Sequence, residues 1–439
     1  MHAKSKTLLK KAIQECLPTL QSLSSQCLSQ HLVWKKTGER QWNGEWQWLP
    51  DLGEVFIRAN TTINTVAETF IESFFKHHPE YGGMLGFPLF GCFNYGHDRA
   101  WIFRCSLGHL WKSHKTFNLG ENLIDELVNE FEAFVDSQTV KLLFRSVLLN
   151  FYSPSSNSIS LPEGLRIRRL HESEISDLYG GTMQSTLSQS SFHGMHEFCI
   201  EGDIEVPKLV GGLEENDQLL STDDVKAKLD KAMLCLRTFK EGYVGYNLIQ
   251  YSPVKFCPFP FGSYGYGDLY VPPGQYQINI KEVASLEEHA KLIFSINEEA
   301  MRMACSRLAD AEHRTRPHDR IVDAVIGMEA LLLSSITDRQ GELSFRFSLN
   351  YAMLFPPEQR QSAFKFARDI YGLRSKIAHG SFVSNECKID GVKISILDAS
   401  KQATTSLRTI IFSFLKKKDA LYKNSEFWQR RYFGLPDLS

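Results

Sequence analysis

Apolar positions along the chain fall into several textures, each predicting a different kind of element. Residues 5–30 carry leucines and serines at helical intervals, which predicts one helix broken near Pro18. From Trp34 to about Trp111 aromatics and glycines take over. Within that stretch Gln41-Trp-Asn-Gly-Glu-Trp-Gln-Trp48 alternates apolar and polar residues and predicts a hairpin turning at Asn43-Gly44. Helical periodicity follows at residues 66–77 and, as a longer amphipathic stretch, at 123–150. The segment 152–160, Tyr-Ser-Pro-Ser-Ser-Asn-Ser-Ile-Ser, is polar and rich in breakers and marks a domain boundary.

Beyond it, residues 165–170 read as a strand and 173–178 as the opening of a helix, whereas 181–215 have no period and read as a mobile loop. Residues 223–239 are helical, with apolar side chains at 225, 229, 233, 236 and 239, and 244–251 read as a strand. The Gly- and Tyr-rich run 258–273 contains Gly262-Ser-Tyr-Gly265 but lacks the lysine and the strand–loop–helix frame of a phosphate loop. The last third differs in kind: 286–311, 319–335, 343–354, 357–379 and 398–422 all read as helices, and Pro357 suits the first turn of its helix. The fold class expected is α+β, a mixed α/β N-terminal region followed by an all-α C-terminal bundle. The divisions expected are 1–152, 160–282, a bundle at 283–425, and a basic tail at 426–439.

A length of 439 residues exceeds one compact core and suits two or three domains. A formal net charge of −2 excludes a wholesale basic coat, so any nucleic-acid contact must come from local patches such as Lys416, Lys417 and Lys418. The nine cysteines have no paired CxxC spacing and read as reduced thiols. No secretory leader and no apolar run of membrane-spanning length is evident, so a soluble, cytoplasmic protein is expected. His193, His196 and Cys199, and the set Cys92, His97, Cys105, His109 and His114, bring metal-ligand types together, but neither has the two tight pairs of a zinc frame. The tryptophans at 42, 46 and 48 are able to stack on bases, although packing into a core is the expected use.

The most informative stretch is Asp369-Ile-Tyr-Gly-Leu-Arg-Ser-Lys-Ile-Ala-His-Gly380. Arg374 supplies a permanent cation able to grip a phosphate, and His379 supplies a group able to exchange protons near neutrality. Positions five apart lie about 140° round a helix. The pair therefore converges only if the helix ends at His379, or if a second chain brings its own copy. Gly380 provides the ending, and the negative end of the helix dipole favours the cationic form of a terminal histidine. A cationic helix end capped by glycine is the plain structural alternative. Upstream, Asp323 and Glu329 interrupt an apolar helix; buried carboxylates need cations, and Arg346 and Arg374 are the candidates, with Glu329 favoured to orient an active-site arginine.

This order resembles the HEPN superfamily, most closely the ApeA-like branch of bacterial anti-phage proteins: Asp323 and Glu329 on one helix, Ser344-Phe-Arg346, then Tyr371-Gly-Leu-Arg-Ser-Lys-Ile-Ala-His-Gly380. Arg374 and His379 enclose four residues and match the hallmark arginine, four to six residues, histidine, with polar Ser375 after the arginine. The resemblance covers about 285–425, and more weakly 223–253. It implies a cofactor-free, metal-independent endoribonuclease acting as a homodimer or higher homo-oligomer. Arg374 would bind the scissile phosphate, His379 would act on the ribose 2′ hydroxyl, and Glu329, Asp323, Ser375, Lys376 and Arg346 would support them. It further implies a defence role in which host RNA, tRNA among the expected targets, is cut after a phage-derived trigger. The alternative is a non-catalytic HEPN module that binds RNA or a protein.

Overall fold

The computed structural model describes residues 1–38, 41–82, 84–87, 91–94, 99–154, 157–179, 196–210, 222–257, 263–264, 276–335, 342–381, 384–416 and 423–435. The fold is α+β with a helical C-terminal region. The chain forms two compact units that interleave along the sequence: residues 1–148, 164–228 and 246–269 make the first, and 149–163, 229–245 and 270–439 the second. The sequence-based divisions at 152 and 282 do not follow these limits. No described helix is long and apolar enough to cross a membrane.

In the first unit, helix α1 (Ala3–Ser24) continues through Pro18 instead of breaking there. Proline removes one backbone donor and strains the turn before it. Here Leu9, Ile13 and Leu20 are fully buried on α1, which packs along α2 (Leu52–His77), and that burial outweighs the local cost. Strands β1 (Leu28–Gly38) and β2 (Gln41–Pro50) pair antiparallel, so Asn43 and Gly44 lie inside a strand rather than at a turn. Gly44 faces Trp34 across the pair, and a Cβ there would come within 3.2 Å of the Trp34 ring and 3.0 Å of Leu32. Glycine serves a close ring contact here, not a reversal of the chain. Trp34 and Trp42 pack on the core, as expected of core tryptophans, whereas Trp46 and Trp48 are two-thirds exposed.

Two helices, α3 (Trp101–His114) and α4 (Glu121–Asp136), complete the helical part, and Phe70, Phe74, Phe103 and Phe131 form its fully buried centre. The long helix expected at 123–150 ends at Asp136, and strand β3 (Thr139–Leu149) follows. The sheet runs β6 (Gly245–Pro253), β3, β5 (Phe198–Pro207), β4 (Arg166–Arg169). Strand β5 thus occupies part of the region expected to be a loop, while 180–195 and 211–221 lie outside the described residues. On one sheet face Arg145, Arg166 and Arg168 all bind the fully buried Glu201 at 2.7–3.1 Å, which links three neighbouring strands. Helix α5 (Glu172–Tyr179) adds Glu174 to the same cluster.

The second unit takes in the end of α6 (Thr222–Phe239) and the bundle α7 (Val283–Phe294), α8 (Glu299–His313), α9 (Pro317–Leu332), α10 (Leu343–Ala352), α11 (Arg360–Ala378), α12 (Ile396–Leu415) and α13 (Ser425–Tyr432). The single helix expected at 286–311 is two helices, with the first capped at Ser295. A small hairpin, β7 (Glu386–Ile389) and β8 (Val392–Ser395), links α11 to α12. The expected basic tail is instead a helix: Asn424 caps it, and Phe427 and Trp428 are buried against Phe414. Segment 229–245 is tied into the bundle, because Arg408 donates to the Thr238 carbonyl at 3.2 Å and His313 bonds the Val244 carbonyl at 2.9 Å.

Helix α9 is the axis of the bundle and touches α8, α10, α11 and α12. At Gly327 an added Cβ would lie 2.6 Å from Leu407 of α12 and 3.2 Å from Arg307 of α8. Gly327→Ala is therefore expected to lower stability by about 1–3 kcal/mol despite alanine's better helix propensity. Urea unfolding measures this, and a stabilised variant would show that the helices separate freely.

Candidate active site

Three helices build the region around the Arg–His motif. Helix α9 points its two carboxylates in different directions. Asp323 is buried and receives Arg307 at 3.0 Å and Arg314 at 2.9 Å. Neither Arg346 nor Arg374 serves it, contrary to the sequence-based pairing; its partners come from α8 and the turn after it, so Asp323 locks α8 to α9. A second buried set, Glu312 with Arg320 and Arg408, braces the same helices.

Glu329, one and two-thirds turns further along α9, faces α11 and accepts a hydrogen bond from Arg374 Nη2 at 3.2 Å. The two side chains are 20% and 27% exposed, so the pair is sheltered but not sealed. Burial pushes the Glu329 carboxyl above its usual range, opposed by the Arg374 charge and by a hydrogen bond with Tyr371. Tyr371 in turn is held up by burial and by the neighbouring Glu329 charge. The Tyr371 ring packs on Phe347 of α10 with centroids 5.0 Å apart. Thus Ser344-Phe-Arg-Phe347 contributes through its second phenylalanine. Tyr371 had no role in the sequence reading; its place one turn before Arg374 is the signal that points to it.

Arg374 therefore lies on the inward side of α11, and its Nε is buried with no hydrogen-bond partner among the described residues. His379 caps the helix and is exposed. The end is a Schellman motif: the Gly380 N–H donates to the Ile377 carbonyl at 3.0 Å, and the Ser381 N–H to the Lys376 carbonyl at 2.9 Å. Gly380 has φ +69°, the left-handed conformation this motif demands. Among the described residues no hydrogen bond or ion pair joins Arg374 to His379 within one chain.

The remaining expected residues fall as follows. Ser375 is half-buried beside Arg374, and Lys376 is exposed next to it. Arg346 is half-buried near Tyr432, whose hydroxyl its charge acidifies against the larger opposing effect of burial, and it makes no ion pair with Glu329. Lys416 is exposed at the end of α12, whereas Lys417 and Lys418 lie outside the described residues. Of the metal-ligand types, His97 and His193 also lie outside them, and His109 pairs with Glu130 at 3.2 Å. Among the described residues no group of three or more His, Cys, Asp or Glu side chains is placed to hold a metal ion.

No protein-family model matches the chain, and no curated protein or solved structure matches it. Site chemistry must therefore be argued from these residues alone.

A glutamate whose folded-state pKa is raised costs stability while ionised, and that cost vanishes as pH falls through the raised value. The Tyr371 hydroxyl reduces it. Tyr371→Phe keeps the ring against Phe347 but deletes the hydroxyl, so Glu329 is expected to titrate at higher pH than in the wild type. Carboxyl-carbon NMR, assigned with Glu329→Gln, reads this directly. An unmoved titration would mean that the hydroxyl does not hold the carboxylate.

Proposed function

We propose that this protein is a HEPN-type, metal-independent endoribonuclease. What supports the reading most is one arrangement: a sheltered carboxylate, Glu329, orienting Arg374, with His379 presented at the exposed end of the same helix. A guanidinium held by one edge keeps its other N–H groups for a phosphate. A histidine at a helix end is accessible to a ribose.

In the reaction proposed, His379 removes the proton of a 2′ hydroxyl and the 2′ oxygen attacks the adjacent phosphorus. The bond to the 5′ oxygen breaks, and that oxygen takes a proton from an imidazolium. Arg374 stabilises the charge gathering on the non-bridging oxygens. Products are a 2′,3′-cyclic phosphate and a 5′ hydroxyl. Arg374 and His379 leave α11 on different sides, and the form proposed is a homodimer in which the α11 of a second chain completes the site across a cleft. RNA, tRNA among the candidates, is the substrate, and the role proposed is abortive infection in the bacterial cytoplasm after a phage-derived signal.

The second reading, a non-catalytic module that binds RNA or protein, is favoured by one observation. The Arg374 charge is already balanced by Glu329, which weakens its hold on phosphate.

His379→Ala, and Arg374→Ala combined with Glu329→Gln so that no carboxylate loses its cation, are each expected to lower RNA cleavage by about a thousandfold while leaving the oligomer folded. End-sequencing of cellular RNA after induction, wild type against His379→Ala, reports cut sites and end chemistry together. Equal cleavage by either variant would sink the enzyme reading, and a strictly monomeric active protein would sink the two-chain site.

A further inference from the structure

We propose that the outward ridge of α11, from Lys365 to His379, carries the RNA strand to the site, and that Gly372 stays small so the strand's backbone can approach the helix. The proposal rests on the ribonuclease reading above and concerns how the substrate is held.

Positions 365, 368, 372, 375 or 376 and 379 recur at intervals of three and four, so they share one face of α11. Lys365, Arg368, Lys376 and His379 on that face are exposed, with half-buried Gly372 and Ser375 between them. The ridge is about 21 Å long at 1.5 Å per residue, which suits several nucleotides. Two acids border it. Asp390 lies 3.9 Å from Lys365 and also accepts from Ser362, while Asp369 lies 3.6 Å from Arg368 and also accepts the Asp390 N–H. Both ion pairs are open to solvent and bind weakly. Lys376 has no ion pair among the described residues. Three permanent cations against two acids leave the ridge weakly cationic, and it ends at the histidine.

Gly372 is the telling residue. Glycine is the poorest helix former after proline. Gly327 has a reason in packing, but a Cβ added at Gly372 meets no heavy atom within 4 Å. Among the described residues nothing needs the space. A polyanion is attracted to such a ridge. The space and the charges fit one occupant, a phosphodiester backbone that approaches most closely where no side chain intervenes.

Binding of a short fluorescent 2′-O-methyl RNA, which cannot be cleaved, to the full-length protein tests this. Neutralising Lys365, Arg368 and Lys376 together to Gln is expected to weaken binding by about tenfold or more and to reduce the slope of log affinity against log salt by about 2. Gly372→Ala is expected to melt about 1–3 °C higher yet bind about threefold more weakly or worse, and Gly372→Phe more weakly still. If both the triple variant and Gly372→Ala bind like a wild type that still cleaves RNA, the ridge is overturned and the ribonuclease reading stands. If Gly372→Ala alone gains stability without losing affinity, the role of Gly372 is overturned. A wild type that neither binds nor cleaves RNA removes both proposals. Cleavage that survives His379→Ala, with ridge-dependent binding intact, removes the mechanism and keeps the ridge.

Discussion

A buried carboxylate on α9, Asp323, and a sheltered one, Glu329, tie together the helices around it. Asp323 and Glu329 are six residues apart, about 120° round the helix, so they leave it on different sides. A buried charge without a counter-ion is strongly destabilising, so each must meet arginines from a different neighbour. Asp323 draws Arg307 and Arg314 and ties α8 to α9; Glu329 draws Arg374 from α11, whose inward face is built by Ala363, Ala367, Ile370 and Leu373. With that face inward, Arg374 reaches Glu329, while His379 at the end of the helix is exposed. The division of the motif between two sides of α11 follows from the apolar face the helix buries, with the ion pair seated at its edge.

Several parts of this arrangement were legible in the sequence. The terminating role of Gly380 follows from glycine's access to positive φ, and the need of Glu329 for an arginine follows from a carboxylate set among apolar residues, while the choice between Arg346 and Arg374 did not. The partners of Asp323 were not legible, because Arg307 and Arg314 lie on elements whose facing could be known only after packing. Strand β3 was hidden because no glycine or proline divides it from α4; only the short polar run 136–139 and the switch from a period of 3.6 to one of 2 separate them. Asn43-Gly44 misled for a different reason: glycine is used both for tight turns and for close contacts, and here Trp34 occupies the space a side chain would take. The C-terminal helix was masked by its charge, since Arg430 and Arg431 drew attention from the buried Phe427 and Trp428 beside them. Arg431 itself is spent on the Met353 carbonyl, 2.7 Å away.

The two units use buried charge in comparable ways. In the first, one glutamate gathers three arginines across neighbouring strands; in the second, α9 distributes its acids among helices. Such networks give geometric specificity more than net stability, because much of their Coulombic gain is offset by desolvation. They suit a site in which one guanidinium must be held at a definite angle.

The interleaving of the two units limits how the protein can be cut into fragments. The chain crosses between them at 148/149, 163/164, 228/229, 245/246 and 269/270. Residues 283–425, taken as a cassette, would leave behind 149–163 and 229–245, and with them the carbonyls of Thr238 and Val244 that Arg408 and His313 bind. A fragment cut at 283 would therefore strip Arg408 and His313 of these partners, and an intact bundle needs both upstream segments.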